Sequence, residues 1–327
     1  MSYTNGLDKP TDYFNTKLYT GNGGTQSITG VGFQPDFVWI KERSSTSSHA
    51  LFDSIRGATI KLSSNNTDAD NTSTADLTSF NADGFTNGDS GAVNESGQTY
   101  ASWNWKETAT AGFDIVSYTG NGSHPRTISH SLSEVPQMII IKDRDQGTDW
   151  FVYHQGIDNT HCLLLNGTNA KISTDVWNDT TPTSSVFSLG TGDVNTNNIK
   201  YIAYCFAEKK GYSKFGSYSG NGNTDGTFIY TGFKPAFYLW KRSDSTAEWF
   251  IVDNKRDSFN ETDAGLFPNN SNAESIGNGY NGVDFLSNGI KIRQSNSSIN
   301  NSSGTYIYYA VAESPFVTST GIPTTAR

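Results

Sequence analysis

The chain has 327 residues, of which 34% are hydrophobic and 17% charged, and its formal net charge is −9. That acidity, with no basic cluster denser than "EKKGYSK", argues against a protein that tracks nucleic-acid phosphates or a polybasic membrane surface. Disordered chains lack aromatics, whereas this one sets 19 Phe, 16 Tyr and 7 Trp among 32 Gly and many Asn, Ser and Thr; the mixture points to strands joined by tight turns, an all-β protein.

The opening "MSYTNGLDKPTDYF" has neither a basic n-region nor an apolar h-region, and no run of about eighteen apolar residues occurs, so synthesis in a cytoplasm without membrane insertion is expected. A first strand is predicted at "NTKLYTG" and a second around "QSITG". "DFVWIKER" and "HALFDSIR", joined by "SSTSS", then read as an antiparallel hairpin. In it Phe37, Trp39 and Lys41 share one face and Val38, Ile40 and Glu42 the other. Both faces carry apolar residues, which predicts a central strand; Pro35, unable to donate a ladder hydrogen bond, marks its start. "IKLSS", a pair around "LTSFNADGFTNG" and a closing strand "YASWNWKE" complete a pattern of short strands typical of a sandwich or jelly roll.

The pattern then recurs. "YTGNG" at 19–23 returns at 118–122, and as "YSGNG" at 218–222, spaced 99 and 100 residues apart. Solenoid and propeller repeats run roughly 20–50 residues, so each copy is long enough to be a small domain. Pro35, Pro136 and Pro235 head matching strands. Six residues later stand Lys41, Lys142 and Lys241, fourteen later His49, Trp150 and Trp249, and eighteen later Asp53, His154 and Asp253. The closing strands end at Glu107, Glu208 and Glu313, each seven residues after a tyrosine. These offsets predict three tandem β-sandwich or jelly-roll-like repeats, 1–110, 111–210 and 211–327 with a C-terminal tail. The short linkers "TATAG" and "KKGYSK" predict that the repeats pack together about a pseudo-threefold axis. Tyr19, Tyr118 and Tyr218 read as anchors, with Gly–Asn–Gly turning the chain into the next strand.

Few residues offer chemistry. Lys41, Lys142 and Lys241 with Glu107, Glu208 and Glu313 resemble acid–base pairs, but groups present in all three copies serve what the copies share, so a structural ion pair at the strand ends is expected. Asp53 and Asp253, beside Arg56 and Arg256, give no consistent carboxylate pair, since the middle copy has His154 and Ile157 there. His154, Asp158, His161 and Cys162 lie on a strand and turn that would not bring them together around a metal. Asp68, Asp70 and Asp76 lack the glycine and final glutamate of a calcium loop. Cys162 and Cys205 are read as free, buried thiols. No cofactor and no metal is expected, and no catalytic residue is assigned. Trp105, Trp177 and Tyr280, in loops and strand edges rich in Asn, Asp and Gly, are the candidates for stacking on a glycan or receptor, and the variable loops at roughly 146–185 and 257–300 are where recognition is expected.

The run "YTGNGGTQSITGVGFQPDFVWIKERSSTSSHALFDSIRG", with "LTSFNADGFTNG", "YASWNWKE" and the ending "VAESPFVTSTGIPTTAR", resembles a domain of unknown function found in virion proteins, often tail-fibre-like, of tailed phages from marine and freshwater samples. The resemblance implies a non-enzymatic structural protein on the surface of the particle, as a capsid decoration, head fibre or tail-fibre component. Its expected partners are other virion proteins and further copies of itself. The alternatives are a lectin-like receptor-recognition protein binding a host cell-surface glycan and, beyond that, a polysaccharide-degrading tailspike. Neither nucleic acid nor membrane insertion is expected.

Overall fold

The computed structural model describes residues 6–190, 192–277, 279 and 282–324. Strands make up 42% of the protein and helices 5%, so it is all-β and of the β-sandwich class. No helix among the described residues is long and apolar enough to cross a membrane.

One strand order recurs in three sheets, where an opening strand pairs antiparallel with a closing strand, the closing strand with the first strand of a hairpin, and that strand with the second. In the 1–110 segment these strands are Phe14–Thr20, Thr99–Trp105, Phe37–Glu42 and Ala50–Asp53. In 111–210 they are Phe113–Thr119, Lys200–Phe206, Met138–Asp143 and Trp150–His154, with His161–Leu164 and Ile172–Ser173 widening the sheet. In 211–327 they are Ser213–Ser219, Thr305–Pro315, Phe233–Arg242 and Trp249–Asp253. The predicted hairpin is present, with Phe37 opposite Asp53 and Ile40 opposite Ala50.

Each large sheet is buried on both faces, as the apolar residues on both sides of "FVWIKE" require. On the outer face Val38 and Ile40 pack with Ile28, Leu77 and Phe85 from a smaller sheet of Gln26–Thr29, Gly84–Asn87 and Leu77–Asn81. Smaller sheets likewise cover Ile139 and Ile141, and Tyr238 and Trp240. The inner faces meet in a single core that contains Phe37 and Trp39, Met138 and Ile140, and Phe237 and Leu239 together. At roughly 1.5–3 kcal/mol per large apolar side chain removed from water, no segment can leave that inner face exposed, so the three are bound into one folded body.

The prolines divide. Pro35 and Pro136 precede their strands, but Pro235 lies inside Phe233–Arg242, where the ladder shifts register on both sides of it. A bulge is where a strand accommodates a residue with no N–H to donate.

Candidate functional site

The three glycine turns share one mechanism. Tyr19, Tyr118 and Tyr218 lie opposite Tyr100, Tyr201 and Tyr306, the first tyrosines of the closing strands, and stack on them at 5.0, 5.0 and 4.8 Å. Each donates its hydroxyl to the carbonyl of Val93, Val194 or Ile299 at 2.8 Å. The following residue is a fully buried asparagine, Asn94, Asn195 or Asn300. Its side-chain oxygen accepts the backbone N–H of the turn's Asn22, Asn121 or Asn221, and its amide nitrogen donates back to that residue's side-chain oxygen. The first glycine cannot be replaced, because a Cβ on Gly21, Gly120 or Gly220 would stand 2.0–2.2 Å from a carbonyl oxygen. The buried asparagines went unread in the sequence, although each stands six residues before the closing tyrosine.

A belt of polar contacts joins each segment to another. Trp150 donates its indole N–H to the carbonyls of Ser63 and Asn66, and Trp249 to that of Leu164. His49, at the matching position, contacts the carbonyl of Phe267 through Nε2 at 2.8 Å while Nδ1 accepts the Trp39 indole N–H; that arrangement places its proton on Nε2. Middle thus rests on first, last on middle and first on last, and the ring closes. Backbone bonds at one shared position follow the same circuit, from Asp70 N–H to Arg144, Lys171 to Ser243 and Glu274 to Arg43.

Lys142 and Lys241 belong to this belt, while Lys41 donates within its own segment. Lys41, Lys142 and Lys241 are 0% exposed and donate to backbone carbonyls: Lys41 to Glu42, Lys142 to Thr67, Asp143 and Gln146, and Lys241 to Thr168 and Arg242. Burial lowers each of them to about 8. The expected pairing with the closing glutamates is absent. Glu107 instead accepts the N–H of Ile115, Glu208 binds Lys214, and Glu313 binds Lys234 and Asn254. The glutamates follow the ends of the closing strands, whereas the lysine side chains lie at the seams. Burial raises Glu107 to about 7, with Asp114 and Asp36 adding to the effect.

A second belt uses the position of Asp53, His154 and Asp253, all 0% exposed. Asp53 binds Arg56 at 2.5 Å and accepts the Tyr204 hydroxyl at 2.7 Å. Asp253 binds Arg256 at 2.6 Å and accepts the Trp103 indole N–H at 3.0 Å. His154 accepts Gly156 N–H at Nδ1 and donates from Nε2 to the carbonyl of Tyr308 at 3.1 Å. Against the cost of burial, Arg256 holds the Asp253 carboxyl below its ordinary value. Burial lowers His49 to about 3, with Lys41 adding to it, and His154 to about 4, so both are neutral at pH 7.

The other candidates are occupied. Asp70 bridges Arg56 and Arg144, Asp76 binds Lys61 and Asp68 accepts from Asn66. His161 turns to Asp158 while His154 faces the interior, and among the described residues no three His, Cys, Asp or Glu groups are placed to hold a metal ion. Cys162 and Cys205 are free and buried. Trp105 and Trp177 are 3% and 1% exposed. Trp105 packs in the shared core against Phe14 and Phe37, and Trp177 against Tyr153, so neither offers a ring face to a glycan. Tyr280 lies outside the described residues. The variable loops are only partly free surface, because Leu164, Thr168, Phe267 and Glu274 within them build the seams.

Open to solvent, among other surface depressions, is a groove where 111–210 meets 211–327. Two cavities of about 520 and 440 Å³ adjoin there and share Glu208, Lys210 and Lys214. The first is bounded by Glu134, Gln137, Gln155 and Lys209, the second by Tyr230, Thr231, Pro315 and Phe316.

No curated protein matches the chain. The family described as Domain of unknown function (DUF7483) matches residues 9–315, a span that runs through all three large sheets, both belts and the groove up to Pro315. The protein belongs to the DUF7483 family.

Proposed function

We propose that the chain consists of three tandem β-sandwich repeats, 1–110, 111–210 and 211–327, closed about a pseudo-threefold axis. We further propose that it is a non-enzymatic structural protein on the surface of a tailed-phage particle, assembling with other virion proteins and with further copies of itself. The observation that carries the non-enzymatic reading is the pair of closed belts. The lysines, aspartates and histidines at the matching positions are fully buried and hydrogen-bonded. A general acid or base must instead reach the proton it moves. The placement on a particle is supported by the resemblance of the 19–57 run and the "VAESPFVTSTGIPTTAR" ending to virion proteins.

The test is to purify particles from a culture whose phage encodes the chain, identify their proteins by mass spectrometry and locate this one with antibody in electron micrographs. Label on the outer surface is expected; protein found only in the particle-free lysate would sink the assignment. Incubation of the purified chain with host surface polysaccharide is expected to release no reducing ends above buffer, and release would overturn the non-enzymatic reading.

A further inference from the structure

We propose that the groove between 111–210 and 211–327 binds a carboxylate-bearing glycan chain, with one sugar ring seated against Tyr230 and Phe316. The strand that begins each smaller sheet has a buried isoleucine at its centre, Ile28, Ile128 or Ile229. Its neighbours face solvent and are Ser27 and Thr29 in 1–110, Thr127 and Ser129 in 111–210, but Phe228 and Tyr230 in 211–327. Phe228 covers Gly289, where a Cβ would come within 2.8 Å of its ring. Tyr230 stands on the rim of the 440 Å³ cavity, 60% exposed, and Phe316 lines the same cavity at 41%. Tyr230, Pro315 and Phe316 line one cavity together, and apolar surface gathered in this way marks a contact site where a singly exposed side chain such as Phe259 does not.

The rest of the lining fits a sugar better than a peptide. A pyranose has an apolar C–H face and a hydroxyl rim; here an apolar wall of Tyr230, Pro315 and Phe316 lines the same cavity as the ion pair of Lys214 with Glu208, joined at 2.7 Å. Lys214 carries three N–H donors, of which that bond occupies one. The adjoining cavity adds the amides of Gln137 and Gln155, each fixed by a bond to backbone. Cavities of roughly 300–1,000 Å³ each suit a small ligand, and two in series suit a ligand of repeating units. Charge selects the kind of glycan. The lining sets three lysines, Lys209, Lys210 and Lys214, beside two glutamates; Lys209 pairs with Glu134 at 2.8 Å as Lys214 does with Glu208, and the lining as a whole is positive on a chain of net charge −9. The corresponding linker between the first two segments, "TATAG", has no lysine.

The inference does not rest on the particle assignment, since the experiment uses only the purified chain. Calorimetric titration would use oligomers of galacturonate, alginate and hyaluronan, neutral oligomers of glucose and mannose, and polyglutamate as a non-sugar polyanion, at low and high salt. At least one acidic oligosaccharide is expected to bind, more weakly as salt rises. Tyr230→Ala and Phe316→Ala are each expected to weaken it about tenfold or more, while Thr29→Ala at the matching outward position leaves it unchanged. Unchanged thermal midpoints would show that both groove variants are folded, as their exposure predicts. The proposal is overturned if no acidic oligomer binds, if only neutral ones do, if polyglutamate binds equally, or if both groove variants bind as well as the parent.

Discussion

The seam that closes the ring differs from the two between consecutive segments. Trp150 and Trp249 reach carbonyls 84 to 87 residues away, whereas His49 reaches Phe267, 218 residues away. The long-range seam is also rich in charge, with Arg43 binding both carboxylate oxygens of Glu274, which Arg256 binds as well. The first–middle seam has Asp70 between Arg56 and Arg144. At the middle–last seam Ser243 takes the place of Arg43 and Arg144, and the backbone bond from Lys171 remains. Loop closure becomes costlier only logarithmically with separation, so a few added charge-assisted bonds suffice to hold the distant ends together. The lesson is that closure depends on buried polar groups as well as on the apolar core, and that this dependence is uneven around the ring.

The largest effects are expected where a buried charge loses its shortest ion pair. Asp253→Ala leaves Arg256 with Glu274 alone, and Asp53→Ala leaves Arg56 with Asp70 alone; each is expected to cost about 3 kcal/mol in urea unfolding. His154→Ala at the same position leaves no charge behind and is expected to cost about 1–3 kcal/mol. Equal losses at all three positions would erase the distinction between the charged and neutral parts of the second belt.

Acid should open the histidine contacts next. His49 and His154 titrate near 3 and 4 when folded but near 6.5 when unfolded, so below pH 6.5 the unfolded chain takes up protons that the folded chain refuses. Their contribution is therefore complete above about pH 6.5 and falls with pH, by roughly 3 kcal/mol each on reaching pH 4. His49→Gln, which retains a side-chain N–H donor but does not titrate in this range, is expected to remove about half of the histidine-dependent loss between pH 6.5 and 4. An unchanged acid profile in that variant would mean that closure does not depend on this imidazole.

Smaller effects should follow at the tryptophan seams. Trp150→Phe and Trp249→Phe preserve most of the packing but leave the carbonyls of Ser63 and Leu164 without the indole donor, at an expected cost of about 1–3 kcal/mol in thermal or urea unfolding. A loss below a few tenths would show that these bonds add nothing to the seams.

Much of the local architecture was legible in the chain. The period-2 alternation around Phe37–Glu42 places Phe37 and Trp39 in one core and Val38 and Ile40 in another, because a pleated strand sends successive side chains to opposite faces. The spacing of tyrosines and glycines located the turns, since few other residues adopt their backbone or fit so close to a carbonyl. Candidate chemistry was less legible. Lys142 and Glu208 looked like partners from their constant offsets, yet offsets along a chain do not say which residues meet across a seam.

The sequence by itself determined the all-β class, the hairpins and the places where the chain turns, all of which depend on near neighbours. Only the tertiary structure decided that Lys142 reaches Thr67, that Asp53 holds Arg56 beside Tyr204, that Trp105 and Trp177 are interior, and that Tyr230 faces a groove. Those outcomes depend on burial and on partners as many as 151 residues away, which local propensity does not encode.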